Sequence, residues 1–241
     1  MNRYYYDFHI HSCLSPCADD DNTPNNIAGM ASLCGLNILA LTDHNSTKNC
    51  PAFFEACRRH GIVPIAGMEL TTAEDIHVVC LFEELNDAMA FDGMIGEHRM
   101  LIKNRTEVFG NQLILDGQDN IICEEEYFLS NATDISIEDV PKYVSEYGGI
   151  CYPAHIDRQA NGIISVLGAF PETPYFKCVE INRPEKIKEY TQKYGLSEKQ
   201  IIISSDAHYL TDIGDKENYF DIDDEPYSAA NVRKKLFEIL R

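Results

Sequence analysis

The chain has 241 residues, of which 44% are hydrophobic, and this predicts one sizeable core in a single domain that spans residues 1–241. Its formal net charge of −19 disfavours a large nucleic-acid-binding face, because an acidic surface repels a phosphate backbone. No apolar run approaches the roughly 18 residues of a membrane helix, and the N-terminus lacks the apolar stretch of an export signal. Without such a signal the nine cysteines are expected to be reduced thiols, so we expect a cytoplasmic protein with no membrane partner.

The first predicted strand ends in a His-x-His motif. Side chains alternate along a strand, so Tyr5, Asp7, His9 and His11 are expected on one face, where two imidazoles can reach one metal ion. A loop that contains three consecutive aspartates, residues 19–21, follows this strand. Thr23-Pro24 then begins a helix, with the threonine as its N-cap and the proline in its first turn.

The next two predicted strands also carry polar side chains at their ends. Ile38 to Leu41 is followed by the Asp43-His44 pair, and the strand that begins at Val63 leads into a Gly-Met-Glu segment with Glu69. Short apolar strands that alternate with helices are typical of parallel α/β sheets and barrels. In such folds the active site gathers at the C-terminal ends of the strands, where His44 and Glu69 both fall.

His77 precedes an apolar run instead of following one. We interpret this order as a hairpin, in which the third strand continues through Glu69 to Thr71, turns near residues 73–75 and returns antiparallel. The hairpin would bring His77 close to Glu69.

The remaining chain contains one region that is hard to interpret. Residues 84–108 are expected to be helical, whereas residues 110–134 show no clear pattern and are interpreted as an insertion that could serve as a lid. Later strands are predicted before His155, before Arg183, and before the Asp206-Ala-His208 segment.

Six of the eight histidines lie beside acidic residues at or near strand ends. Histidine together with carboxylate suits zinc, manganese or iron better than calcium or magnesium. Nine candidate ligands exceed the number that one catalytic ion needs, so two or three divalent ions are expected. The candidates are His9, His11, Asp19, His44, Glu69, His77, His155, Asp206 and His208.

The order of the motifs His-x-His, Asp-His-Asn, Gly-x-Glu, Pro-Ala-His and Ser-Asp-Ala-His resembles that of the PHP (polymerase and histidinol phosphatase) family of metal-dependent phosphoesterases. The resemblance runs from Asp7 to Tyr209. It implies an α/β fold, a distorted seven-stranded (β/α)7 barrel of the TIM-like type, and a trinuclear metal site.

The resemblance also divides the ligands among the ions. One ion would bind His9, His11, Glu69 and Asp206. A second would share Glu69 and add His77 and His155. A third would bind Asp19, His44 and His208.

Other polar residues near these motifs are expected to support the site. Asp7 and Asp43 lie beside ligands, and we expect each to orient a histidine through the ring nitrogen that does not bind metal. Arg158 and Arg183 lie at strand ends and are the candidates for holding a substrate phosphate by bidentate contact.

The expected activity is hydrolysis of a small phosphorylated metabolite or nucleotide, by attack of a metal-bridging hydroxide on phosphorus. The expected catalytic residues are Glu69, Asp206 and His208, and Asp206 is one candidate for protonating the leaving group. Three alternatives remain: an exonuclease-like phosphodiesterase that cleaves short oligonucleotides, an amide or ester hydrolase, and a non-catalytic metal-binding module.

Overall fold

The computed structural model describes all 241 residues, which form ten strands and eight helices. The strands are β1 (Asn2–Asp7), β2 (Ile38–Leu41), β3 (Val63–Thr71), β4 (His77–Phe82), β5 (Leu113–Leu115), β6 (Ile121–Glu124), β7 (Ile150–Pro153), β8 (Cys178–Glu180), β9 (Gln200–Ile202) and β10 (Tyr219–Ile222). The helices are α1 (Pro24–Leu33), α2 (Cys50–His60), α3 (Leu85–His98), α4 (Thr106–Phe109), α5 (Val140–Glu146), α6 (Ile163–Leu167), α7 (Ile187–Tyr194) and α8 (Ala229–Leu240).

The main sheet is a curled half-barrel of six strands in the order β10-β1-β2-β3-β4-β7. Strands β1, β2 and β3 are parallel, whereas β10, β4 and β7 each pair antiparallel with a neighbour. Strands β8 and β9 form a separate parallel pair. The fold is therefore mixed α/β. The strands divide among three sheets, the six-stranded sheet and the pairs β5-β6 and β8-β9, where the family resemblance implies one continuous seven-stranded barrel.

Apolar side chains pack on both faces of the main sheet. Along β2, Leu39 and Leu41 pack with helices α1 and α2 in one apolar cluster, while Ile38 and Ala40 pack in a second cluster that includes α8. Strand β3 is buried over its whole length. Every second residue from Val63 to Glu69 faces the interior of the half-barrel. The strand period therefore points the Glu69 carboxylate into the mouth of the half-barrel.

The predicted β3–β4 hairpin is confirmed. Strand β3 continues to Thr71, and Thr71 pairs with His77 in an antiparallel register. The predicted helix over 84–108 is wrong in its second half, because α3 ends at His98. The chain beyond it pairs instead with residues further along, through isolated bridges between Arg99 and Thr133 and between Lys103 and Tyr127.

Residues 110–134 contain the β5–β6 hairpin, which lies outside the main sheet. The hairpin packs against the loops that follow β1 and β2: the Leu113 N–H donates to the Cys13 carbonyl, and Asn49 bonds the backbone of Leu113 and Leu115. The Asn45 amide also donates to two carbonyls of this segment. Its use as a lid stays a prediction. None of the helices has the length and hydropathy that crossing a membrane requires.

Candidate metal centre

The polar cluster lies where the strand ends meet. His9 and His11 follow β1, Asp43 and His44 follow β2, and Glu69 and His77 face each other on β3 and β4. His155 follows β7, and Asp206 and His208 follow β9. All of these side chains are buried except His77 and His208, which are partly exposed.

Glu69 occupies the centre of the cluster. Its Oε1 atom lies 2.8 Å from His77 Nδ1, 3.1 Å from His155 Nε2 and 3.2 Å from His9 Nε2. Its Oε2 atom lies 3.0 Å from His44 Nδ1 and 3.3 Å from His11 Nε2. The two oxygens of one carboxylate thus face different sets of imidazoles, which is the arrangement a bridging ligand needs.

Asp206 is the second carboxylate of the cluster. Its Oδ1 atom lies 3.1 Å from His11 Nε2 and 3.3 Å from His9 Nε2. The His208 Nδ1 atom lies 2.8 Å from the backbone carbonyl of Asp206, which leaves Nε2 as the ring atom available to a metal.

The ligand atoms converge in three groups, each compact enough to surround one cation. The groups are His9, His11, Glu69 and Asp206; His44, Glu69 and His77; and His11, His44 and His208.

These donor atoms fit a metal better than they fit one another. His44 Nδ1 and His77 Nδ1 lie 3.0 and 2.8 Å from Glu69 oxygens, yet neither atom makes a hydrogen bond, because the ring geometry does not aim a proton at the carboxylate. Buried polar atoms without a partner are rare in folded proteins. A cation between the imidazoles and the carboxylate would satisfy both, so the residues present fit a metal centre.

The electrostatics of the cluster follow from its burial and its charges. Burial would lower the pKa of His9, but Glu180, Asp206 and Glu69 outweigh it and raise that pKa well above its ordinary value. Burial would also lower the pKa of His11, but Asp206 and Glu69 outweigh it and raise that pKa to about 9. The pKa of His44 is also raised to about 9, against burial and the charge of His11, by Glu69.

The pKa values of four other groups of the cluster are lowered. Burial and the neighbouring His11 lower the pKa of His208 to about 3, and burial lowers the pKa of His77. Burial alone would raise the pKa of Glu69, but the surrounding imidazoles lower it well below its usual range. The pKa of Asp206 is lowered in the same way, chiefly by His9 and His11 against burial.

Sequence reasoning missed Glu180, which orients His9. The buried Glu180 carboxylate lies 3.0 Å from His9 Nδ1 and accepts the backbone N–H of His155 at 3.0 Å. A single acid between apolar residues of β8, in Cys-Val-Glu-Ile181, was the available signal, since such a residue is buried only when it is paired.

The prediction that Asp7 orients an imidazole is wrong. Its carboxylate accepts the backbone N–H groups of His9, Ser205 and Gly214 and contacts no histidine ring. The reason is that β1 ends at Asp7, and the strand alternation breaks between Phe8 and His9. Tyr5, which was predicted on the same face as His9, therefore packs against the apolar cluster of Leu39 and Leu41, on the side opposite to the His9 ring.

Asp43 acts on His11 through an intermediate hydroxyl. Its carboxylate accepts hydrogen bonds from the Ser12 hydroxyl and backbone and from the Ser15 hydroxyl, each at 2.7 Å. The Ser15 oxygen lies in turn 3.0 Å from His11 Nδ1.

Two residues of the centre have a strained backbone. His155 and Asp206 have φ angles of 28° and 54°, in the left-handed region that few non-glycine residues adopt. Such conformations persist where the surrounding structure enforces them, commonly at functional sites. Here they turn the side chains at the ends of β7 and β9 toward Glu69 and His11.

Two predicted ligands, Asp19 and His155, lie outside the three groups, although His155 Nε2 lies 3.1 Å from Glu69 Oε1. In the groups His44 stands beside Glu69 and His77 where His155 was predicted, and His11 stands beside His44 and His208 where Asp19 was predicted. The Asp19 backbone N–H donates to the His208 carbonyl at 3.0 Å, so this residue lies beside the centre. Its carboxylate, however, accepts the N–H of Asp21 at 2.8 Å. Its role as a ligand stays a prediction.

Both predicted substrate arginines line one cleft next to the centre. Arg158 Nη1 lies 2.5 Å from Asp206 Oδ2, and Arg183 Nε lies 2.9 Å from Asp157 Oδ2. The cleft has a volume of about 450 Å³ and is also lined by Lys186, Tyr190 and Tyr194.

A curled α/β half-barrel with a buried histidine–carboxylate cluster at its strand ends defines a metal-dependent hydrolase. The sequence profile of the PHP domain matches residues 7–183, and the chain belongs to this family. The matched segment includes the candidate ligands from His9 to His155, while Asp206 and His208 lie beyond it. A search of curated proteins finds no match.

Solved structures share the fold at low sequence identity. The lesion-specific endonuclease EndoQ from Pyrococcus furiosus is similar with a TM-score of 0.66 and 16% identity, over 97% of this chain and 55% of that one. A protein described as a putative metal-dependent phosphoesterase from Bifidobacterium adolescentis has a TM-score of 0.60 and 18% identity, over 97% and 96% of the two chains. A protein described as an amidohydrolase from Chromobacterium violaceum, with bound sulfate and no metal, has a TM-score of 0.60 and 18% identity over 90% and 91%. This chain thus spans about half the length of the endonuclease.

Proposed function

We propose that the protein is a metal-dependent phosphomonoesterase that releases phosphate from a small phosphorylated metabolite or nucleotide. The contact between Arg158 and Asp206 carries this proposal. It places a guanidinium, whose planar donors suit phosphate oxygens, directly against a carboxylate of the metal cluster. A phosphoryl group held by Arg158 would therefore lie at the ligands.

The proposed cofactors are two or three divalent ions of zinc, manganese or iron, because imidazole and carboxylate ligands suit these metals. The proposed ligands are His9, His11, Asp19, His44, Glu69, His77, His155, Asp206 and His208. When bound, the ions supply Lewis acidity and activate water for attack on phosphorus.

The chain's own residues position the reaction. Glu69 presents one oxygen to each of two imidazole sets and so fixes the spacing of the ligands. Asp206, whose pKa is lowered, is ionised at neutral pH and serves as a cation ligand there. The leaving group would then take its proton from water or from another acid, and Asp206 would not supply it.

Barrel closure is part of the same proposal. The Ile10–Ala207 bridge and the 2.9 Å hydrogen bond from Ile156 N–H to the Glu180 carbonyl support a seven-stranded barrel made of β1, β2, β3, β4, β7, β8 and β9. Closure would fix Asp206 and His208 against His9 and His11.

Phosphodiester cleavage is the main competing activity. The likeness to EndoQ is a likeness of fold, and the net charge of −19 favours small substrates over a polymer. Amide or ester hydrolysis is a second alternative, because an activated water also attacks carbonyl carbon. The cationic cleft favours a phosphomonoester, which carries more negative charge than a phosphodiester or an amide, over either alternative.

A substrate panel tests the proposal. Protein that has not met a chelator is assayed with p-nitrophenyl phosphate, its bis ester, histidinol phosphate, nucleoside 3′,5′-bisphosphates and N-acyl amino acids, with Glu69→Gln as the inactive control. Phosphate release from monoesters is expected. Turnover of the bis ester alone would identify a phosphodiesterase, turnover of the amide alone an amidohydrolase, and no turnover by metal-loaded protein a binding module.

A further inference from the structure

We propose that the cleft beside the metal centre binds a second anionic group on the substrate's leaving group, and that Lys186 is its principal contact. The inference rests on the proposed phosphoesterase activity and specifies its substrate class. Preferred substrates would be phosphate esters whose leaving group carries a carboxylate or a further phosphate.

The cleft and the metal cluster meet at Arg158. Arg158 lines it and at the same time lies 2.5 Å from Asp206, which is within 3.3 Å of His9. A phosphoryl group held between Arg158 and the candidate ligands would therefore place its leaving group next to the cleft. The volume of about 450 Å³ is in the range of small-molecule sites.

The cleft walls concentrate positive charge in a strongly acidic protein. Arg158, Arg183 and Lys186 all line it, although the chain as a whole carries a formal charge of −19. The only acidic residue on the wall, Asp157, already accepts hydrogen bonds from Arg183 Nε and from the Asn182 N–H. The cleft therefore attracts anions while most of the surface repels them.

The three cations differ in their partners. Arg158 contacts Asp206, and Arg183 contacts both the side chain and the carbonyl of Asp157. Lys186 has no ion pair or side-chain hydrogen bond, and its ammonium lies 5.6 Å from the centre of the Tyr190 ring. An incoming anion would thus gain the most binding free energy from Lys186, because no existing ion pair of this lysine has to be broken.

Two tyrosines of α7 offer a surface for the part of the substrate that joins the two anionic groups. The rings of Tyr190 and Tyr194 lie 5.2 Å apart on α7, and both face the cleft together with Ile164. Aromatic faces bind planar or apolar groups at a low cost in side-chain entropy. A compact planar linker between the anions fits this surface.

A matched pair of substrates tests the inference. Phosphate release is measured from 4-carboxyphenyl phosphate and from 4-carbamoylphenyl phosphate, which have similar shapes but differ in the charge of the second group. We expect kcat/KM to favour the carboxylate by about tenfold, the effect of one charge-assisted hydrogen bond. The preference should fall towards unity in Lys186→Ala and persist in Lys188→Ala, which changes an exposed lysine two residues further along, in α7 and outside the cleft.

The outcomes separate this inference from the proposed function. Equal kcat/KM for the two substrates, or a preference that survives in Lys186→Ala, would overturn the second-anion site while leaving a phosphoesterase. Failure of metal-loaded protein to hydrolyse either substrate or any ester of the panel would refute the activity itself, and the inference with it. A third substrate, 4-phosphonophenyl phosphate, shows whether a dianionic second group raises kcat/KM more than a carboxylate does. A higher kcat/KM than that of the carbamoyl compound, for either anionic substrate, supports the site.

Discussion

Nδ1 of His9 lies 3.0 Å from both carboxylate oxygens of Glu180, a residue 171 positions further along the chain. The contact fixes the ring so that Nε2 points at Glu69 and Asp206. Since Glu180 also accepts the His155 N–H, one buried carboxylate orients ligands from two strands. Such supporting contacts commonly control metal affinity as strongly as the ligands do.

Removal of the Glu180 carboxylate should weaken metal binding. Glu180→Ala leaves His9 Nδ1 and the His155 N–H without their partner, and we expect a loss of roughly 10–100-fold in metal affinity. Glu180→Gln keeps an acceptor oxygen and should lose less. Competition with a fluorescent chelator measures both, with the exposed Glu185→Ala as the control. Identical affinities for Glu180→Ala and the wild type would show that Glu180 does not orient the site.

Metal affinity should rise steeply with pH. In metal-free protein the pKa of His9 is raised well above its ordinary value and the pKa values of His11 and His44 are raised to about 9, so all three rings carry protons at pH 7 that a metal must expel. Each proton expelled makes the binding constant rise about tenfold per pH unit. We therefore expect a slope of about three for the logarithm of affinity against pH between about 7 and 8. A flat profile would show that these imidazoles are neutral before metal arrives.

The stability of metal-free protein should be greatest near pH 6.5. The raised pKa values of His11 and His44 contribute stability that is complete below the unfolded value of 6.5 and is lost as pH rises towards 9. The lowered pKa of His208 acts in the opposite direction and reduces stability below pH 6.5. Each proton changes the unfolding free energy by roughly 1.4 kcal/mol per pH unit. Urea titrations of chelated protein across pH 5–9 measure it, and a steady rise to pH 9 would contradict the prediction.

Gly67 should be intolerant of any side chain, because it lies where β3 approaches its neighbours closely. An added Cβ would lie 2.8 Å from Thr42 Cγ2 and 2.9 Å from the Cys80 carbonyl, so Gly67→Ala should cost about 1–3 kcal/mol. Metal affinity should fall too, since Glu69 lies two residues further along the same strand. Gly93→Ala, in α3 with open space around it, should instead gain about 0.5–1 kcal/mol. Urea unfolding compares the two, and similar destabilisation by both changes would exclude close packing at Gly67 as the cause.

Much of the architecture followed from local patterns. Apolar strands with polar tips predicted β2 and β3 and placed His44 and Glu69 at the same edge of the sheet. The position of His77 before its apolar run predicted the β3–β4 hairpin and its approach to Glu69. These inferences held because the strand period and the direction of the chain already decide which way a side chain points.

Other features depended on contacts between distant segments. The helix predicted over 84–108 stopped at His98 because Arg99 and Lys103 bridge to Thr133 and Tyr127, and local propensity could not indicate that pairing. The strand alternation breaks between Phe8 and His9, so the Asp7 side chain points away from the imidazole rings. An unbroken strand would have placed Asp7 on the same face as those rings.

The sequence by itself determined the composition of the centre, because imidazoles and carboxylates at strand ends indicate the chemistry whatever their exact distances. Only the tertiary structure decided which of them touch. Glu180 reaches His9, Ser15 stands between Asp43 and His11, and Lys186 shares a cleft with Arg158. These relations depend on the packing of strands and helices far apart in the chain, which no local period of side chains encodes.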